Sequence, residues 1–236
     1  MTTAGKIPVS WHVLAASTAL LFGATVYLIF FVAPVEEQMG VVQKIFYFHV
    51  PSAYAMYIGF SVSALGGLMY LIKRSDRWDA LALAGAEIGM LFCAIVLVTG
   101  PLWGRKAWGV YWVWDPRLTS TLLTGMIYAA YVGLRGFGPA GEVEKRFASA
   151  LAIVGFPMLF LIKYSVQRWS GQHPVVITGR GGGISGDMVP ALVLAFLAFT
   201  ALVAWLLWAR VRVERQRQRI EALEIEAAML GLGDES

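Results

Sequence analysis

The chain has 236 residues, 58% of them hydrophobic and 14% charged, with a formal net charge of +4. A soluble domain carries about 45–50% apolar and about 25% charged residues, and one core of this length cannot hide the excess. The composition therefore excludes an ordinary soluble enzyme, a disordered chain and, with Cys93 as the single cysteine, a disulfide scaffold.

Six apolar runs of membrane-crossing length follow in order: 11–33, 52–72, 80–100, 118–135, 147–164 and 188–209. They are too long for barrel strands and do not alternate, so helices are expected. The expected fold class is an all-α integral membrane protein: six transmembrane helices, aromatic external loops and a short cytoplasmic C-terminal helix. Residues 1–209 would form the membrane domain and 210–236 a basic, amphipathic tail. The first run is unbroken over 23 residues, too long for the apolar core of a signal peptide. His12 at its start reads as an interface residue. The third run contains Glu87, which needs a partner in an apolar setting. Beside it Gly85 and Gly89 form a G-x-x-x-G spacing that admits a close helix contact. Cys93 in the same run reads as a small core residue. In the tail, Ile220, Leu223, Ala227 and Leu230 make one apolar stripe, which suits a solvated helix or a docking helix.

Six spans place both termini on one side. If that side is the cytoplasm, twelve Lys and Arg fall inside and seven outside, the sense of the positive-inside rule. The inner connections are short and polar. The outer ones are aromatic: FYFHVP, PLWGRKAWGVYWVWDPR and QRWSGQHPVVITGRGGGISGD. Such side chains gain nothing from water unless they rest on a membrane, a partner or a flat ligand.

The segment WGRKAWGVYWVWDPR packs Trp103, Trp108, Tyr111, Trp112 and Trp114 into twelve residues. An aromatic belt needs fewer. Indoles crowded in one place offer a wide rigid platform for a flat apolar ligand, and Gly104 and Gly109 let the chain bend. Arg105, Lys106 and Arg117 can pair with carboxylates at the ligand's edge. Asp115 before Pro116 suits a helix cap. His49 and His173 fall in two further outer segments, each beside a proline, Pro51 and Pro174. Either histidine alone reads as well as a structural residue. Together with a flat aromatic bed and edge cations they suit haem, whose iron takes neutral imidazole as axial ligand.

WGRKAWGVYWVWDPRLTS resembles the tryptophan-rich WWD signature of haem-handling proteins of cytochrome c maturation. The RLTS continuation, the six spans and the chain length resemble the CcmC branch rather than the larger CcmF and CcsA types. KIFYFHVPSAYAM and YSVQRWSGQHP resemble its two histidine loops. The resemblance covers essentially the whole chain before the tail. It implies haem b held at the periplasmic face of the bacterial inner membrane. His49 and His173 match the family's axial iron ligands. Trp103, Arg105, Trp108, Tyr111, Trp112, Trp114, Asp115 and Arg117 match its haem platform. It also implies transfer of haem to the chaperone CcmE, and work beside the ABC-transporter subunits CcmA and CcmB and the small membrane protein CcmD. The protein would be a transport component, with no catalytic residues and no enzyme activity of its own. The sequence lacks G-x-x-x-x-G-K-[ST], so no P-loop supplies ATP chemistry, and the glycines of 179–183 read as a flexible loop.

Two other readings are compatible with a six-span chain. A haem- or quinone-binding membrane redox protein would place histidines mid-span, where this chain has none. A permease would show broken helices and several polar mid-membrane residues, of which Glu87 is the one clear candidate.

Overall fold

The computed structural model describes residues 7–138, 141–169, 171–173 and 183–231. Six long helices run through it: α1 (Val9–Tyr27), α2 (Phe46–Lys73), α3 (Asp76–Trp108), α4 (Pro116–Phe137), α5 (Glu142–Trp169) and α6 (Val189–Met229). Among the described residues there is no strand, only a bridge between Glu36 and Gly40. Five stretches are long and apolar enough to cross a membrane: Val9–Val32, Val41–Lys73, Asp76–Trp108, Glu142–Trp169 and Gly186–Met229. The remaining helix, α4, has 22 residues, about 33 Å of length, but is less apolar. Its hydroxyls turn inward and bond their own backbone: Ser120 donates to the carbonyl of Pro116, Thr121 to that of Arg117 and Thr124 to that of Ser120. Outward-facing Val13, Leu20, Leu91, Val98, Phe147 and Val154 give the bundle an apolar exterior.

The closest packing joins α2 to α3. A Cβ on Gly85 would stand 2.5 Å from the nitrogen of Ser63, and one on Gly59 would stand 2.5 Å from that of Gly89. The G-x-x-x-G pair thus provides the close contact its spacing predicts. Phe60 of α2 stacks on Tyr128 of α4 at 3.8 Å. The Tyr128 hydroxyl donates to the carbonyl of Ala152 in α5 at 3.0 Å, with that of Phe60 at 3.2 Å. Cys93 is fully buried, its sulfur facing Gly125.

Helix ends depart from the expected boundaries. The last turn of α1 widens over Leu28–Val32, and Lys44, one of the seven Lys and Arg expected in the outer segments, is buried there. Its ammonium donates to the carbonyls of Ile29 at 2.5 Å and Ala33 at 2.7 Å, groups that a helix end leaves unpaired. The sixth helix runs through Arg210 without a break to Met229, so the tail continues the last span and is not a separate short helix. Its first turns dock: the Gln218 side-chain amide donates to Asp79 of α3 at 3.0 Å. Glu87 finds its partner in Arg210, whose guanidinium donates to both carboxylate oxygens.

Candidate haem site

His49 lies in the first turns of α2, not in a loop, because a 3-10 helix over Val41–Ile45 leads directly into α2 at Phe46. Its ring rests on the bare Cα of Gly100 in α3, where a Cβ would come within 3.2 Å of it. His49 Nδ1 is 2.8 Å from the Thr99 hydroxyl, and that hydroxyl donates to the carbonyl of Ile95 at 2.7 Å.

The tryptophan segment is half helix. The third helix runs on to Trp108 and ends at Gly109, whose φ of 79° is the left-handed conformation glycine adopts freely. Trp103 and Trp108 therefore stand on the last turns of α3, edge to face at 5.7 Å. Gly104 makes room for the Trp108 ring, which a Cβ would meet at 3.0 Å. The Trp103 indole N–H points to Gln43 Oε1 at 3.4 Å. Trp112 and Trp114 follow in the non-helical stretch, also edge to face at 5.7 Å.

Asp115 fastens this stretch at both ends. One carboxylate oxygen accepts from the Leu118 N–H at 2.7 Å and caps α4. The other accepts from the His173 backbone N–H at 3.2 Å. Arg117 braces the same histidine: its guanidinium donates to the carbonyls of Ile162 and Lys163 of α5, each at 3.3 Å, and to His173 Nδ1 at 3.1 Å.

These elements enclose a cavity of about 340 Å³ lined by His49, Trp103, Trp108, Trp112, Arg117 and His173 among other residues, a size suited to a small-molecule ligand. The two imidazole centres face each other at 6.5 Å, inclined by 32°. The Trp108 ring lies 6.4 Å from that of His173. The indole N–H of Trp112 is buried with no hydrogen-bond partner among the described residues, a donor open to an acceptor.

Six of the ten residues singled out in the sequence thus meet at one cavity. The other four do not line it. Asp115 is buried beneath the His173 loop. Tyr111 and Trp114 are 57% and 76% exposed, and Arg105 lies over the Tyr111 ring at 5.7 Å. Pro174 and the glycines of 179–182 lie outside the described residues. Thr99 and Gln43 were not anticipated. The signal for Thr99 was a hydroxyl closing the apolar run VLVTGP, and nothing in the sequence marked Gln43. Among the described residues no group of His, Cys, Asp and Glu side chains could hold a bare metal ion, so the paired histidines stand apart from any carboxylate or thiolate cage.

The sequence profile of the family described as "Heme exporter protein C" matches residues 3–226. The chain belongs to this family. It is 38% identical over 221 residues to the heme exporter protein C of Bradyrhizobium diazoefficiens, covering 91% of this chain and 82% of the relative. It is 32% identical over 227 residues to that of Rhodobacter capsulatus, covering 95% and 93%. A putative cytochrome c biosynthesis ccmC-like mitochondrial protein of Arabidopsis thaliana is 32% identical over 192 residues, covering 81% and 73%. Family membership makes the chain a membrane-bound, transport-type component of cytochrome c maturation that handles haem, rather than an enzyme.

Proposed function

We propose that this chain holds haem b at the periplasmic face of the bacterial inner membrane and presents it to the haem chaperone CcmE. The observation that carries this reading is the pair of imidazoles 6.5 Å apart across a tryptophan-walled cavity. Two imidazoles bound to one metal about 2 Å from each nitrogen set their ring centres about 6 Å apart. Trp103, Trp108 and Trp112 supply aromatic walls for the macrocycle. The unpaired Trp112 N–H and the Arg117 guanidinium supply donors for its carboxylates. Tyr111, Trp114 and Arg105 extend the platform at its exposed rim, and Asp115 holds the platform and the His173 loop together.

In this reading α4 is the fourth of six crossings, both termini are cytoplasmic, and the histidine end of the bundle faces the periplasm. Residues 1–209 form the haem-handling membrane domain and 210–236 its cytoplasmic extension. The chain has no P-loop, so ATP-dependent steps belong to CcmA with CcmB, and CcmD completes the complex. Haem uptake by the purified full-length protein tests the reading. The wild-type chain is expected to give the absorption spectrum of low-spin, six-coordinate haem. The double variant His49→Ala, His173→Ala is expected to lose it while melting like the wild type. An unchanged spectrum in the double variant overturns the axial-ligand assignment.

A further inference from the structure

We propose that Thr99 is a positioning residue that presets His49 as an iron ligand, and that the two histidines engage iron in order, His49 first and His173 after Arg117 has released it. The proposal rests on the reading that haem iron sits between them, and it concerns how each ring is prepared. A neutral imidazole carries one N–H and one lone pair, and the partner of one nitrogen decides what the other can do.

At His49 the partner is Thr99. A hydroxyl has one proton, and the Thr99 proton is directed at the Ile95 carbonyl 2.7 Å away, a group that can only accept. If Thr99 turned that proton toward His49, two oxygens would face each other at 2.7 Å with no hydrogen between them. His49 Nδ1, 2.8 Å from the same oxygen, must therefore be the donor. The proton sits on Nδ1, and Nε2 keeps its lone pair for a metal. Nothing has to move before this ring binds, since Gly100 beneath it leaves room for the ring in this position. Second-shell partners of this kind fix the tautomer of metal-binding histidines.

At His173 the partner is Arg117, and the logic reverses. A guanidinium can only donate, so His173 Nδ1, 3.1 Å from it, is the acceptor and its lone pair is engaged. In the neutral ring the proton then lies on Nε2. Neither nitrogen can take a metal until Arg117 withdraws, and two carbonyls of α5 hold Arg117 in place. A carboxylate at the edge of an incoming haem is a stronger acceptor for Arg117 than imidazole is. A haem carboxylate can therefore draw Arg117 away from His173 Nδ1, and loss of that carboxylate contact returns Arg117 to it. One ligand is fixed and the other is exchangeable, which suits a protein that must give its haem away.

The test uses the full-length protein in detergent with 15N-labelled histidine, free of haem, its three histidines assigned with single His→Ala variants. Expected are a protonated Nδ1 with a bare Nε2 at His49, and the reverse at His173. Thr99→Val, which keeps the side chain's shape, should populate both tautomers of His49, and Thr99→Ser should restore one. A wild-type His49 protonated at Nε2, or a Thr99→Val spectrum like the wild type, overturns the role of Thr99. Haemin mixing then tests the order. Wild type should pass through a five-coordinate, high-spin species, at which His173→Ala stops, while His49→Ala slows the first phase at least tenfold. Equal behaviour of the two single variants overturns the order. A wild-type chain with the expected tautomers that takes up no haemin overturns the haem reading and the order with it, but not the tautomer assignment.

Discussion

At the scale of single residues, Asp115 does two jobs with two oxygens, and the jobs can be separated. Asparagine caps a helix about as well as aspartate, so Asp115→Asn keeps the bond from the Leu118 N–H. Its amide then faces the His173 N–H, donor against donor, where a carboxylate oxygen now accepts at 3.2 Å. A charge-assisted bond of this kind contributes about 1.5–3 kcal/mol. The expected outcome is a modestly lower melting temperature and haem affinity about tenfold weaker, measured by haemin titration, with the low-spin fraction reduced. A variant equal to wild type in both readouts removes Asp115 from the positioning of His173. The cap was legible in the sequence, because an acidic residue before Pro at a helix start has a local cause. The bond to His173 was not, since it joins positions 58 residues apart through a fold that no local spacing encodes. The same holds for Thr99, which meets His49 only because Gly100 lets α2 approach.

At the scale of elements, runs of apolar residues marked each of the six long helices, and what they missed were the ends. Helix α3 runs eight residues past the apolar run 80–100, through Pro101 and Gly104, because Leu102, Arg105 and Lys106 are good helix formers and the chain first turns left-handed at Gly109. Two tryptophans expected in a loop are therefore held by a helix, a stiffer support for a ligand platform. Pairing between elements was legible only where small residues announced it. Gly85 and Gly89 did so, and the test of that contact is direct. Gly85→Val would drive its Cβ into the Ser63 nitrogen at 2.5 Å, with backbone on both sides and no flexible side chain to yield. Overpacking of this kind costs about 1–3 kcal/mol or more. Because α2 carries His49 and α3 carries Thr99, Trp103 and Trp108, the expected result is a lower melting temperature together with weaker haem binding. Gly133→Ala, with nothing within 4 Å of the added carbon, serves as the neutral control. Equal melting of the two variants would refute the α2–α3 contact as the seam that aligns the site.

At the scale of the whole molecule, the bundle is closed at the end opposite the histidines by a buried cluster of charges. Arg135 of α4 meets Asp79 of α3 at 2.9 Å, Glu144 of α5 at 3.4 Å and Glu214 of α6 at 3.9 Å. Arg135 and Asp79 side chains are each 2% exposed. Glu214 also takes Arg210 and Arg217, both at 3.0 Å, and Arg210 carries the chain of contacts on to Glu87. The sequence showed these residues as ordinary polar ends of separate spans. Their convergence depends on α6 running beyond the span it was expected to end with, which a count of apolar residues cannot reveal. Removing the central cation takes the close partner from buried Asp79 and Glu144, while Glu214 keeps Arg210 and Arg217, and breaking a buried pair in this way costs about 3–5 kcal/mol. Arg135→Met should therefore lower the melting temperature in detergent by several degrees. Adding Asp79→Leu should recover part of the loss, because apolar replacement of both partners relieves the stranded charge. Along α3 the cluster lies about 30 Å from Thr99. The folded fraction of Arg135→Met should thus keep the wild-type haem spectrum. A stable Arg135→Met protein would show that the cluster does not hold the helices together. A folded one with an altered spectrum would show that the two ends of the bundle are coupled.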